Sequence, residues 1–222
     1  MIVLLRYHAA LLLRSQRWLP PFLLYCAALA VGVQAGQPVL DSLGYTSAAV
    51  LPVAAWLVRV CAVAEPPAAR DCVAAAVGPA RAHLARVLTA LGAAAVLGTG
   101  GVLVVAWVSD PHAADHQVAV DRAAAAGAGL LASLACALLG TAVGTLCNWP
   151  VVRSRGRAVP ATALAALLVL VVGVSPANAA VTGLVDGSRG GTVTVPLLPL
   201  AAAAIAAAVA VAVACACGAR RA

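Results

Sequence analysis

Few side chains in this sequence have a claim to chemistry. His112 and His116 are four residues apart with Asp115 between them, and helical spacing would put both imidazoles on one face, as a divalent metal requires. No His-Glu-x-x-His pattern accompanies them and Pro111 precedes the pair, so a polar loop kept acidic by membrane topology is the simpler reading. Cys215 and Cys217, beside Arg220 and Arg221, have the form of a metal-relay or palmitoylation segment. Two thiols supply too few metal ligands alone, and small apolar filler accounts for them. Arg59 is the one full charge well inside an apolar run, and intramembrane ionisable residues are functional candidates by default, here for a translocation path. Its run ends within two turns, close enough for the side chain to snorkel. Gly98-Thr99-Gly100-Gly101 lies inside an apolar run and opens no helix after a strand, which excludes a dinucleotide loop. All 14 basic residues are arginine, so the lysine of a phosphate-binding loop and the amine of a Schiff-base enzyme are both missing. No Ser, His and Asp set falls at one membrane depth. The expectation is a chain that is not an enzyme and takes no metal or cofactor.

The 222 residues are 64% apolar and 9% charged, with mean hydropathy +1.04. Soluble domains run at roughly 45–50% apolar and about 25% charged, and too few charges remain here to coat a water-facing surface. Lipid must solvate the chain. The net charge of +7 does not point to nucleic acid, because the arginines fall between apolar runs. Seven cysteines form an odd set, nearly all within or at the ends of those runs, where Cys behaves as a small hydrophobe rather than as part of a disulfide framework. Arg6, Arg14 and Arg17 interrupt the N-terminus before any sustained apolar stretch, which argues against a cleaved signal.

A spanning helix needs about 20 mainly apolar residues. Six windows meet or approach this: 19–36, 47–64, 87–109, 123–147, 161–180 and 195–217. The first is slightly short and borrows from Trp18 and Gln37; the second carries Pro52 and Arg59. Arginine bias in short loops sets orientation. With a cytoplasmic N-terminus, the inner segments hold Arg6, Arg14, Arg17, Arg70, Arg81, Arg86, Arg153, Arg155, Arg157, Arg220 and Arg221, and the outer loops only Arg122 and Arg189. Acids reverse the pattern, with Asp41, Asp110, Asp115, Asp121 and Asp186 outside and Glu65 and Asp71 inside. The expected fold is therefore all-α: one integral membrane bundle of six transmembrane helices over residues 1–222, both termini cytoplasmic. Trp18, Trp107 and Trp149 fall at span ends, where such rings prefer the interface.

Residues 1–18 are too interrupted to span. Arg6, Arg14 and Arg17 lie near one side of the helix they would form and most leucines elsewhere, which describes a basic amphipathic helix in the inner interface; alternatively the arginines only fix topology. Pro20 and Pro21 then break it from the first span. In the longest inner loop, Glu65-Pro66-Pro67 precedes a short helix over 68–77, stopped by Gly78-Pro79, and Arg81–Arg86 begins the helix that feeds the third span. That short helix is either a solvated connector or a docking element for a soluble partner. Gly32-x-x-x-Gly36 and Gly140-x-x-x-Gly144 allow close helix approach.

The layout resembles the permease subunit of type 2 ATP-binding-cassette exporters. Tyr7-His8 through Arg14-Ser15-Gln16-Arg17-Trp18-Leu19-Pro20-Pro21 reads like the N-terminal helix of small permeases from GC-rich bacteria, and Gln37-Pro38-Val39-Leu40-Asp41-Ser42-Leu43-Gly44-Tyr45 like their first outer loop. The resemblance implies a separate ATP-binding subunit docking on the cytoplasmic side of the plasma membrane. It implies coupling through Glu65 to about Val77, with Glu65, Arg70 and Asp71 as candidate contacts and the helix of Arg6, Arg14 and Arg17 packed nearby. It also implies two six-span halves, identical or different, enclosing the path. Such permeases often carry a larger outer re-entrant element before the last span, whereas 181–194 reads as short and glycine-rich. Two other classes compete. A non-transporting membrane scaffold or regulatory partner would explain the scarcity of polar side chains. An ATP-independent carrier would need intramembrane acids, and no window contains an interior Asp or Glu.

Overall fold

Alanine, leucine and valine runs in a chain with few water-facing charges satisfy their backbone polar groups within helices, and helices are what the chain forms. The computed structural model describes residues 1–114, 118–148 and 155–219. In order, these form α1 (Ile2–Arg14), α2 (Leu19–Gly32), α3 (Val39–Val63), α4 (Pro67–Val77), α5 (Pro79–Val108), α6 (Arg122–Cys147), α7 (Arg155–Val171), α8 (Pro176–Gly190) and α9 (Leu197–Ala219). Isolated bridges, Pro38 with Asp110 and His112 with Ala119, are the only β pairing among the described residues.

Four helices are long and apolar enough to cross a membrane: Val39–Val63, Pro79–Val108, Arg122–Cys147 and Leu197–Gly218. A fifth candidate is a broken one, α7 and α8 joined across four residues at 46°. The chain is a multi-pass membrane protein by this measure. Helix α2, at 14 residues, falls short of the expected 19–36 window because it ends at Gly32, where Val33 is extended and a turn follows, the Gln37 amide donating to the Gln34 carbonyl at 3.3 Å.

The boundaries follow local chemistry. Asp121 caps α6, its carboxylate accepting from the Ala123 and Ala124 amides at 3.2 Å each. Ser175 accepts from the Ala177 amide at 3.2 Å, and Pro176 takes the first position of α8. Gly78 ends α4 and Pro79 opens α5, as the sequence suggests. Helix α1 stops at Arg14, and Pro20 and Pro21 sit in the first turn of α2, where a proline costs nothing.

Two windows need correction. The segment 39–46, expected as outer loop, is the first two turns of α3, and Val39, Leu40, Leu43 and Thr46 there are buried. Asp41 at the exposed start of a helix favours the positive end of its dipole. The 161–180 window straddles the break between α7 and α8, where Gly173 and Pro176 interrupt an otherwise apolar run. Segment 181–194 is accordingly mostly helix rather than a glycine-rich turn.

Helix α3 is central, packed most extensively against α6, then α5 and α8, with α9 on the far side of α6. Glycine makes the α3–α6 seam possible. A Cβ at Gly140 would run into the Leu51 carbonyl oxygen, and one at Gly144 would meet Val58 Cβ at 2.7 Å and the Ala55 carbonyl oxygen at 2.9 Å. The other expected glycine pair does not act this way, because Gly36 lies outside a helix at φ +87°. Three buried threonines return to their own helices: Thr46 donates to the Ser42 carbonyl at 2.7 Å, Thr141 to Ala137 at 2.7 Å and Thr89 to Ala85 at 2.8 Å. The buried Ser47 hydroxyl instead crosses from α3 to the Gly129 carbonyl of α6 at 3.3 Å.

The helix ends sort into two sets. At one end, the Arg17 guanidinium donates to the Val63 carbonyl at 3.0 Å, and the Cys215 thiol lies 3.8 Å from the Ala80 carbonyl. At the other, the Val39 amide donates to Asp110 at 3.0 Å, the Asp110 amide to Gln37 at 3.1 Å and the Ala114 amide to Ser188 at 2.9 Å. The link after α5 thereby ties down the starts of α3 and the end of α8. His112 belongs to this link; Asp115 and His116 lie outside the described residues, as do Trp149, Arg153, Arg220 and Arg221.

Candidate functional site

The densest group of ionisable side chains sits at the Arg17–Val63 end, where α1, the turn after α3 and the start of α5 converge. Glu65 occupies the turn, and its side chain is 1% exposed. Arg86, on the second turn of α5, places Nε 3.3 Å from Glu65 Oε2 and is itself 5% exposed. His8, from the inner face of α1, places Nδ1 3.9 Å from Glu65 Oε1. His83 is buried one turn before Arg86, and Arg70 of α4 lies close enough to Arg86 for the two cations to repel. Two buried charges far from water demand partners, and this cluster joins three separate segments to provide them.

Local pattern explains how the residues arrive there. On α1, His8 and Leu12 are four apart and both buried, while Arg6 and Arg14 are exposed on other faces. Proline at 66 and 67 starts α4 immediately after Glu65, so the acid cannot be carried away on a continuing helix. His83 and Arg86, three apart, share the face of α5 that meets α1.

The surroundings set the protonation of α1. Burial lowers the His8 pKa from its ordinary 6.5; Glu65 opposes that shift and Arg86 adds to it. Burial and then the Glu65 charge raise the pKa of the Tyr7 phenol. A histidine whose folded pKa lies below its unfolded value stabilises the fold fully above about pH 6.5, and that contribution is lost as pH falls through the folded value. Acidification from pH 7 to pH 5 is therefore expected to loosen α1 from the bundle. Proteolysis or hydrogen exchange of residues 2–14 in detergent should rise over that interval, and should rise less in His8→Phe, which leaves only the second buried histidine of the cluster, His83.

The three candidate coupling residues do not share one surface. Asp71 is exposed on α4, Arg70 is half-buried, and Glu65 is buried in the ion pair. Helix α4 as a whole buries none of its residues. Arg6 and Arg14 are exposed on α1, and Arg17, exposed beyond its end, caps the C-terminus of α3.

Arg59 has a specific partner. Its Nη1 donates to Asn148 Oδ1 at 3.0 Å; Asn148 Nδ2 donates to the Gly144 carbonyl at 2.8 Å and lies 3.5 Å from Thr162 Oγ1. The guanidinium thus ties α3 to the end of α6 and, through Asn148, to α7. Replacing Asn148 by leucine should cost about 1.5–3 kcal/mol, the usual worth of a hydrogen bond to a charged group, read by denaturant titration in micelles.

Sequence reading passed over His8, His83 and Arg86 as chemistry. The available signal was Glu65 itself: an acid at the end of an apolar run, in a strongly basic set of segments, needs a buried cation close by. No group of three or more His, Cys, Asp or Glu able to hold a metal occurs among the described residues. Comparison with protein-family models, curated proteins and solved structures finds no match.

Proposed function

We propose that this chain is the permease subunit of an ATP-binding-cassette exporter, moving a substrate outward across the bacterial plasma membrane with ATP hydrolysed by a separate subunit. The observation that carries the reading is the pairing of α4 with the Glu65–Arg86–His8 cluster. A short helix with no residue buried by its own chain projects beside a buried polar knot that connects α1, α3 and α5. Force applied to α4 by a soluble partner would reach three bundle elements through that knot.

Six crossings with both ends inside agree with the two sets of helix ends. Between Arg17, bonded to Val63 at one end, and Gln37, bonded to Asp110 at the other, the chain must run the length of the bundle. Fourteen helical residues cover about 21 Å, and residues 33–37 make the link to the far end, where Gln37 meets Asp110. Counting α7 and α8 as one broken span gives six. In this reading the arginine-rich end faces the cytoplasm and α1 lies in the inner interface. Two such six-span chains would face each other across the path.

The interior hydroxyls that bond only within their own helices favour one competing reading, a non-transporting membrane scaffold. Purification in mild detergent separates the two. The exporter reading expects an ATPase chain to co-purify, to be lost on reversing the exposed charge in Asp71→Arg, and to drive ATP-dependent flux in reconstituted vesicles. Absence of any ATPase partner overturns it.

A further inference from the structure

We infer that the groove between α1 and α5 binds one acyl chain of an anionic phospholipid from the surrounding leaflet, with its headgroup held by the arginines of α1. The groove encloses about 510 Å³, within the ~300–1,000 Å³ typical of small-molecule sites. Leu5, Ala9 and Leu13 of α1 line it together with Gly92 and Val96 of α5, and Trp18 is part of the lining. Trp18 is itself fixed, its indole donating to the Leu13 carbonyl at 3.4 Å and its ring meeting Phe22 edge-on at 5.5 Å.

Three observations select the occupant. The lining is almost wholly apolar side chain, and Leu13 and Val96 remain 65% and 72% exposed, so the groove has an open side that only hydrocarbon can cover favourably. Gly92 leaves open space where a side chain would stand, with nothing within 4 Å of a Cβ built there. Charge then chooses among lipids. Arg6 and Arg14 are exposed on the helix that walls the groove, Arg17 adjoins Trp18, and no acid occurs before Asp41. An anionic headgroup meets those cations at the level where an interfacial helix lies. The inference needs the bundle to sit in a bilayer but is independent of any ATPase partner.

The test uses the full chain, without an ATPase, in bilayers of phosphatidylcholine containing either brominated phosphatidylglycerol or brominated phosphatidylcholine. Trp56→Phe, Trp107→Phe and Trp149→Phe leave Trp18 as the sole indole. Bromine should quench Trp18 with a relative affinity about fivefold or more in favour of the anionic lipid, the equivalent of one basic residue at a membrane surface. Gly92→Leu, which fills the groove, should reduce quenching by both lipids. Arg6→Gln with Arg14→Gln should remove the preference while leaving quenching by phosphatidylcholine intact. Native mass spectra of the chain with all its tryptophans provide a second readout: phosphatidylglycerol retained by the parent chain and lost in Gly92→Leu. Equal quenching by the two lipids overturns the inference, as does a preference that survives Gly92→Leu. Failure of either lipid to quench Trp18, which would mean that another helix covers the groove, overturns it too.

Discussion

Replacing Glu65 by alanine is expected to lower the free energy of unfolding by about 3–5 kcal/mol, because Arg86 would then remain buried without its counter-ion. The gain from forming the pair is small beside the cost of breaking it. Desolvating two ions consumes most of their mutual attraction, whereas a single ion left in the same place keeps its desolvation cost and loses its partner. A double replacement tests that asymmetry. Glu65→Leu combined with Arg86→Met should be closer to the parent in stability than either single change, since no isolated charge remains. Denaturant titration of the four proteins in one detergent measures the coupling. Additive losses would show that the two side chains act separately, and would remove the cluster as the junction of α1, α3 and α5.

The second large effect belongs to the α3–α6 seam. Gly140→Leu is expected to destabilise by at least the ~1–3 kcal/mol of ordinary overpacking, and by more than Gly144→Ala. A side chain at Gly140 meets the Leu51 carbonyl oxygen, which belongs to a helical backbone and cannot swing aside. At Gly144 the first obstacle is the Val58 side chain at 2.7 Å, with the Ala55 carbonyl oxygen at 2.9 Å. Gly127→Ala, in the same helix, has nothing within 4 Å of the added methyl and serves as the control. It should be neutral or slightly stabilising, since alanine is the better helix former by about 1 kcal/mol. Equal responses at Gly140 and Gly127 would mean that the seam is not where the helices touch.

Membrane character was legible in the sequence because lipid solvation imposes it residue by residue. Long runs of Ala, Val and Leu satisfy their own backbone only as helices, so α5, α6 and α9 fall almost where hydropathy puts them. The Gly78-Pro79 stop between α4 and α5 was equally local: a glycine that ends one helix stands next to a proline that begins another. Where the reading failed, local sequence pointed both ways. Asp41, Ser42 and Gly44 look like loop residues, yet they begin α3 because Gly44 sits against Val181 and Val185 of α8.

Composition and periodicity thus determined that the chain is helical and built for lipid, and which ends carry its arginines, since each of those properties is summed along the chain. Only the tertiary structure decided which charges are used and how. Arg6 and Arg14 remain exposed on α1, Arg59 is committed to Asn148, and Arg86 is buried against Glu65. Nothing in their immediate sequence separates these arginines. Their roles come from partners 89 and 21 positions away in the case of Arg59 and Arg86, brought close by packing that no local window contains.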